Sequence, residues 1–398
     1  MSAVGNASSS VLTTDILLVG GGIAGLWLNA RLRAAGFHTV LVEKTGLGGV
    51  QTLGSQGIIH GGIKYTLSGG LTGASEAIAD MPSRWRACLE GNGELDLQGV
   101  RRLSEAHYLW SPGSLVSGLA GFFASKSVRG RAEACSKADL PSAFQHKQFK
   151  GKAYRLNEVV VDVPQLVERL VALGGDAFVH AEQLLPLREG GVLCGLRADG
   201  IEIRAQRVIC TAGRGNAQLL SELGISQPQQ QVRPLHQVLV KAPNLPPLYA
   251  HALGAGTKPR TTITTHIARD GQTVWNLGGD LAEADGVARD EASQIAQAQK
   301  ELADLLPWVD LSAARFATWR VERAEPAQNS LMRPDNAFLH CDNALMVAWP
   351  TKLALTPNLA DQVLAALDEQ QISPQANGQR PDLPQPPMAQ APWERLLP

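Results

Sequence analysis

The feature that most limits what this chain can fold into is Gly20-Gly21-Gly22-Ile23-Ala24-Gly25, a GxGxxG run set directly behind the apolar stretch Asp15-Ile-Leu-Leu-Val19. That stretch reads as a buried parallel strand. Residues Ile23 to Ala35 read as a helix closed by Gly36 as its C-cap. A second strand, Thr39-Val-Leu-Val-Glu43, ends on an acid 18 residues after Gly25. Strand, glycines, helix, strand and acid in this order are the context in which the motif binds a dinucleotide. Gly20 permits the tight turn, Gly22 lets the backbone approach a diphosphate, and Gly25 lets the helix pack closely on the strand. The helix N-terminus, beginning at Ile23 and Ala24, then receives the negative charge. Glu43 is placed to accept hydrogen bonds from a ribose diol, which disfavours a 2′-phosphate there and makes NADP the poorer fit. The alternative reading is a glycine-rich turn followed by an unrelated surface glutamate.

A chain of 398 residues exceeds what one hydrophobic core serves, so two interleaved lobes are expected. Residues 1–14, rich in Ser and Thr, read as a flexible tail. The dinucleotide lobe takes 15–88, 151–225 and 329–372, where VVVDV passes into the helical PQLVERLVALGG, a strand ends at Arg207-Val-Ile-Cys-Thr211, and a strand at 338–349 precedes a helix at 358–370. A substrate lobe takes 89–150 and 226–328, with strand-like spacing over 260–279 and a helix over 291–306. Residues 373–398 read as a Pro-rich tail without a hydrophobic period.

Lys plus Arg number 36 against 37 Asp plus Glu, with no long basic run, which removes the electrostatic case for a nucleic-acid partner. The five cysteines are scattered without a CxxC pair, indicating neither a zinc site nor a disulfide framework and fitting a reducing cytoplasm. No metal ligand set is expected, since His236, His251 and His266 lack metal-ligand spacing. The N-terminus lacks the basic start and apolar stretch of a signal peptide. No segment reaches the roughly 18 consecutive apolar residues of a membrane span, although a peripheral membrane contact is compatible with the composition.

The fingerprint alone does not choose between FAD and NAD. The residues after Glu43 do: Leu53-Gly-Ser-Gln-Gly-Ile-Ile-His-Gly-Gly-Ile-Lys-Tyr65 resembles the IHGG or IHAG segment of D-amino-acid-oxidase-like flavoproteins. Within that family it is most similar to FAD-dependent glycerol-3-phosphate dehydrogenases and L-2-hydroxyglutarate oxidases. Arg207-Val-Ile-Cys-Thr-Ala-Gly213 is similar to the family's strand ending in A-A-G or A-T-G, and Thr351-Lys-Leu-Ala354 resembles its G-K-L-T segment. Here Trp349-Pro350-Thr351 replaces the usual glycines. The resemblance implies an α/β fold, with a Rossmann-like FAD-binding lobe interleaved with a smaller α+β substrate lobe carrying an antiparallel sheet. It implies FAD contacts from Lys44, Thr52, Ser55, Gln56, Gly57 and Ile58, and from Leu184, Ala212, Gly213, Lys352 and Leu353.

The activity implied is that of a flavin oxidase or dehydrogenase that takes a hydride from the carbon bearing an amine or hydroxyl group in a small acidic substrate. The acid would be an amino acid, a hydroxy acid or a phosphorylated polyol, and the electron acceptor oxygen, a quinone or a protein. His60 then serves as acid or base, hydrogen-bonds substrate, or has a purely structural hydrogen bond. Some relatives carry the flavin covalently on such a histidine, but the dehydrogenases with the most similar segment bind FAD without a bond. Lys352, or the amides of the helix after it, would face the charge that builds on reduced flavin, unless it is a solvated loop lysine. Arg323, in Trp319-Arg-Val-Glu-Arg323, aligns with the family's substrate-binding G-x-R-P arginine, with Ala324 in place of the proline. Arg320 is the alternative, and an ion pair with Glu322 or Glu325 would use up either. Lys64 and Tyr65 stand where the glycerol-3-phosphate dehydrogenases carry Arg-Tyr. Of His236, His251 and His266, any could line the cavity, yet none has a local motif. Two other functions share the fingerprint. A flavin monooxygenase needs a G-D or D-G element that Cys210-Thr-Ala-Gly-Arg-Gly does not resemble, and a flavin-binding subunit without its own turnover would fit the irregular Trp349-Pro350-Thr351 loop.

Overall fold

Continuous apolar runs, rather than alternating ones, make the first strands central and parallel, because a parallel sheet is covered on both faces. Ile16, Leu17 and Leu18 are completely buried in this way. A computed structural model of the chain describes residues 11–62, 78–112, 132–254, 258–327, 336–376 and 378–398. It divides into two compact units. The first draws its described residues from Met1–Gly49, Val167–Val232 and Ala324–Ala389, the second from Val50–Leu166, Arg233–Arg323 and Gln390–Pro398.

In the first unit five parallel strands lie side by side in the order Phe178–His180, Thr39–Glu43, Val11–Val19, Ile201–Cys210 and Leu345–Trp349, with Phe338–Asp342 antiparallel at the edge. Val192–Ala198 and Leu184–Glu189 add an antiparallel extension along the first half of Ile201–Cys210. Helix Ile23–Ala34 follows the first strand, and helix Thr356–Glu369 packs against it. The first strand is longer than the sequence pattern indicated. Val11–Thr14 pairs with Glu202–Ala205, so the expected tail ends before Val11.

The second unit is built on an eight-stranded sheet ordered Arg315–Pro326, Gln230–Lys241, Thr273–Gly278, Pro259–Ile267, Ala250–Leu253, His107–Ser111, Lys152–Leu156 and Ala132–Ala134. Its centre is antiparallel, and Ala250–Leu253 runs parallel to His107–Ser111. Side chains alternate between faces with period two. One face carries Val238, Val240, Trp275, Leu277, Ile263, Ala250 and Trp110, packed with Ala298, Leu302 and Leu305 of helix Glu291–Leu305. Asp290 caps that helix by accepting from the Ser293 amide. The register places Gln237, Asn276, Thr264, Thr262, His251, His107 and Ser111 on the opposite face, and all of them are buried.

The lobe boundaries differ from those expected. Residues 50–62, 78–88 and 151–166 belong to the second unit, and 226–232 and 324–327 to the first. Long-range hydrogen bonds give the reason. Gln56 Nε2 donates to the Asn276 carbonyl at 2.8 Å, Gln237 Nε2 to the Gly54 carbonyl at 3.1 Å, and the Ile59 amide to the Val159 carbonyl at 2.9 Å. The Pro-rich segment is also docked rather than loose. In the first unit the Gln375 and Ala376 amides donate to Asp15 Oδ1, His180 N donates to the Pro384 carbonyl, and Leu47 exchanges hydrogen bonds with Pro387 and Ala389. In the second unit the short helix Pro392–Leu396 lays Trp393 over His266, with ring centroids 4.3 Å apart, and the Leu397 carbonyl accepts from Lys241 Nζ. Isolated hydrogen bonds and one large ring hold the segment, which is why no periodicity announced it. Among the described residues no helix is long and apolar enough to cross a membrane.

Complete burial pushes the His266 ring down from 6.5 to about 3. The unfolded chain therefore binds one more proton than the folded one between those two values. Stability is unaffected above pH 6.5 and falls as pH drops towards 3, by about 1.4 kcal/mol per pH unit. Urea unfolding at pH 7 and pH 5 should show His266→Gln losing about 2 kcal/mol less than the native chain over that interval. Equal losses would mean that the folded ring titrates normally.

Candidate functional site

In the first unit the turn behind the first strand is closed by backbone contacts that exclude side chains. Gly20 has φ +110°, and a Cβ there would lie 2.5 Å from Ala212 Cα on the adjacent strand's continuation. A Cβ at Gly25 would run into the Gly20 carbonyl oxygen and sit 2.8 Å from Thr211 Oγ1. That hydroxyl is held by the Val19 and Gly20 carbonyls at 3.0 and 2.9 Å. Gly22, the N-cap of helix Ile23–Ala34, is extended and has no side chain of its own to cap it. A helix N-terminus is a ready anion site. Glu43 closes the other side: Oε2 accepts from the Gly21 amide at 2.6 Å, while Oε1 accepts from Thr45 N, Thr45 Oγ1 and Gly46 N. Oε2, with this one donor, keeps capacity for a ribose hydroxyl. The cradle thus fits the diphosphate and ribose of FAD.

The remaining first-unit candidates are placed as follows. Ala212 N donates to Asn216 Oδ1 at 2.8 Å, and Gly213, at φ +55°, offers its carbonyl to Trp349 Nε1. Lys44 is exposed, and Leu184 packs at the margin of the sheet's core. Thr351 takes φ +60° where the family resemblance called for glycine, and its hydroxyl donates to the Asn336 carbonyl. Lys352 precedes the tight turn Leu353–Leu355, which runs into helix Thr356–Glu369, whose N-terminus has no side-chain cap.

In the second unit, Thr52 and Ser55 form a turn in which Ser55 N donates to the Thr52 carbonyl. Gly57 has φ +71°, and a Cβ there would strike the Val161 carbonyl. Val161 N donates to Gly57 O, Ile58 bridges Val160, and Ile59 N donates to Val159 O. This register brings Glu158 opposite His60. Glu158 Oε1 accepts the Gly61 amide at 2.9 Å, and Oε2 lies 3.2 Å from His60 Nδ1. The His60 ring stacks on His251 at 5.9 Å and 17°, and His251 lies 4.2 Å from the His107 ring. Thr262 Oγ1 lies 2.7 Å from His251 Nδ1. Burial alone would raise the Glu158 carboxyl, but the His60 ring, His107 and the Gly61 amide outweigh it and hold it below the usual carboxylate range. It is therefore ionised at neutral pH.

Arg323 meets partners that its local motif did not indicate: its guanidinium bonds the Arg233 carbonyl at 3.3 Å and Glu283 at 3.2 Å. Arg320 donates to the Val287 and Arg289 carbonyls. His236 lies on the apolar side, with Nδ1 2.9 Å from the Gly286 carbonyl, and His266 lies beneath Trp393. Of the three second-lobe histidines, His251 is the one that meets His60. Lys64 and Tyr65 lie outside the described residues. Sequence reasoning missed Glu158, His107 and Asn276. The local signal for Glu158 was an acid set immediately before the apolar Val159-Val-Val161 run, where a strand end presents a buried carboxylate. Among the described residues no three His, Cys, Asp or Glu side chains converge as metal ligands.

A family model described as DAO, FAD dependent oxidoreductase, matches residues 15–342. The chain is 65% identical over 383 residues to the probable FAD-dependent oxidoreductase PA4991 of Pseudomonas aeruginosa, covering 96% of this chain and 98% of that protein. The crystal structure of the FAD dependent oxidoreductase PA4991 aligns at a TM-score of 0.87 and 60% identity, over 97% of this chain and 99% of that one. Glycine oxidase from Geobacillus kaustophilus aligns at 0.65 with 16% identity, over 92% and 97% of the two chains. L-alpha-glycerophosphate oxidase from Mycoplasma pneumoniae, solved with FAD bound, aligns at 0.63 with 14% identity, over 89% and 95%. These last two show a shared fold. With a glycine cradle shaped for a dinucleotide, a family match over most of its length and a relative this similar, the chain belongs to the DAO family of FAD-dependent oxidoreductases.

Proposed function

We propose that this FAD-dependent oxidoreductase oxidises a small acidic substrate at the C–H next to an amine or hydroxyl group, on the polar face of the second unit's sheet, with His60 as base. The observation that carries this reading is a buried polar patch on that face, which also carries the apolar Leu109, Leu239 and Val274. Gln237, Asn276, Thr264, Thr262, His251, His107 and Ser111 are all buried, where an antiparallel sheet ordinarily packs apolar side chains or faces water. Asn276 is 0% exposed, and its side-chain oxygen and nitrogen have no hydrogen-bond partner among the described residues. Leaving such groups unsatisfied costs about 1–3 kcal/mol each, which a polar ligand recovers.

FAD, when bound, accepts the two electrons and the hydrogen of the substrate C–H bond. The chain's own part is to hold the substrate and take the remaining proton. An imidazole ordinarily titrates near 6.5, which suits proton removal from a hydroxyl or an ammonium group. His60 carries that role because it stands at the edge of the polar face, stacked on His251. The surroundings of Arg323 do not support an anion clamp there, since Glu283 already meets its guanidinium. The acidic group of the substrate falls instead to the imidazoles and to the neutral donors of the face. Glycine oxidase and L-alpha-glycerophosphate oxidase share the fold, and their names give an amino acid and a phosphorylated polyol, both small acids, as what they oxidise.

The test is anaerobic mixing of the yellow holoprotein with panels of amino acids, hydroxy acids and glycerol phosphates. One class should bleach the flavin, and failure of all three would overturn the acidic-substrate reading. His60→Ala should slow that bleaching by about 10²–10⁴-fold with FAD content unchanged. An unaltered rate would remove His60 from the chemistry. Gly25→Ala should yield a protein that does not retain FAD after gel filtration while circular dichroism still shows its α/β content. Full yellow colour in that variant would mean that the cradle is not where the cofactor's diphosphate is held.

A further inference from the structure

Glu158 is 2% exposed, so its charge depends on the few groups around it rather than on solvent. Two of these have fixed hydrogen-bonding roles. The Gly61 amide can only donate, and it occupies Oε1 at 2.9 Å. An ionised carboxylate can only accept, and Oε2 faces His60 Nδ1 at 3.2 Å. Nδ1 must therefore bear a proton. In a neutral imidazole this leaves the lone pair on Nε2. The His251 ring lies nearly parallel to that of His60, with centroids 5.9 Å apart.

We propose that Glu158 is a positioning residue for the reaction, holding His60 in the Nδ1–H tautomer and stabilising the imidazolium that forms when Nε2 takes the substrate's proton. The inference rests on His60 acting as base in the reaction proposed above. In that step the substrate O–H or N–H bond breaks and the Nε2–H bond forms. The ring becomes a cation beside an unchanged carboxylate, and the hydride from the neighbouring carbon goes to FAD. Glu158 itself gains no proton. A carboxylate used in this way orients the base and offsets its charge.

The tautomer can be read without any substrate. In 15N-histidine-labelled holoprotein, with the His60 signals assigned by their loss in His60→Ala, the native ring should show a pyrrole-like Nδ1 and a pyridine-like Nε2. Glu158→Gln keeps the shape and removes the charge. Because the Gly61 amide claims the side-chain oxygen, the new NH₂ group faces His60 Nδ1 and donates to it. The ring must then carry its proton on Nε2, so the two shifts should exchange character. That inversion reads the hydrogen bond between the two side chains, and turnover then reads whether the reaction uses it. With whichever panel compound bleaches the flavin, Glu158→Gln should lower kcat by about 100-fold or more with KM changed only a few-fold, and Glu158→Asp should recover part of the loss.

A native neutral ring protonated on Nε2 alone overturns the proposal without any Glu158 variant being needed. So does a Glu158→Gln protein whose His60 shifts stay as they were. Those outcomes leave the proposed reaction standing, whereas undiminished bleaching in His60→Ala overturns the reaction's base and the role of Glu158 together.

Discussion

A side chain at residue 25 would need the space taken by the Gly20 carbonyl and the Thr211 hydroxyl, and the first unit is arranged around that exclusion. Because Gly25 can press against the turn, helix Ile23–Ala34 leaves the first strand with its N-terminus close to the strand end. Thr211 ties the Val19 and Gly20 carbonyls to the neighbouring strand, so the turn is fixed on two sides. Glu43 is fixed in turn by the Gly21 amide, which couples the acid at the end of one strand to the glycines at the end of another. A site for a dinucleotide is thus assembled from backbone groups placed by strand pairing and tied together by the side chains of Thr211 and Glu43.

What the sequence made legible follows from how local each feature is. The strand, turn, helix, strand and acid of 15–43 are contiguous, and their period and punctuation sufficed to place them. The boundaries of the two units were not legible, because a run such as 57–59 looks like any short strand until its partner is known. Its hydrogen bonds go to 159–161, about a hundred residues along the chain. The same distance hid Glu158, 98 residues from His60. Arg323 shows the same limit: its local motif suggested an anion clamp and gave no sign of Glu283, 40 residues away, which its guanidinium meets. The docking of the Pro-rich C-terminal segment was not legible because proline removes the amides from which periodic structure is built, leaving docking to single contacts.

The second unit applies two opposite rules to the same strands. Residues 238, 240, 263, 275 and 277 face an apolar core, and residues 237, 262, 264 and 276 face the buried polar side, so neighbours one peptide apart serve unrelated purposes. Sheet pairing keeps the two sets apart because the side-chain period is two. His107 and His251 reach the polar side by the same parity, which sets His107 beside His251 and His251 beside His60.

That parity separates what can vary from what cannot. A substitution at 262, 264 or 276 alters the shape and donor pattern of the buried polar side while the core positions 263, 275 and 277 stay unchanged. For the reaction proposed above, selectivity is therefore open to drift by single substitutions, one strand position at a time. A one-residue insertion in any of these strands does the reverse, exchanging the two faces and losing core and chemistry in one event.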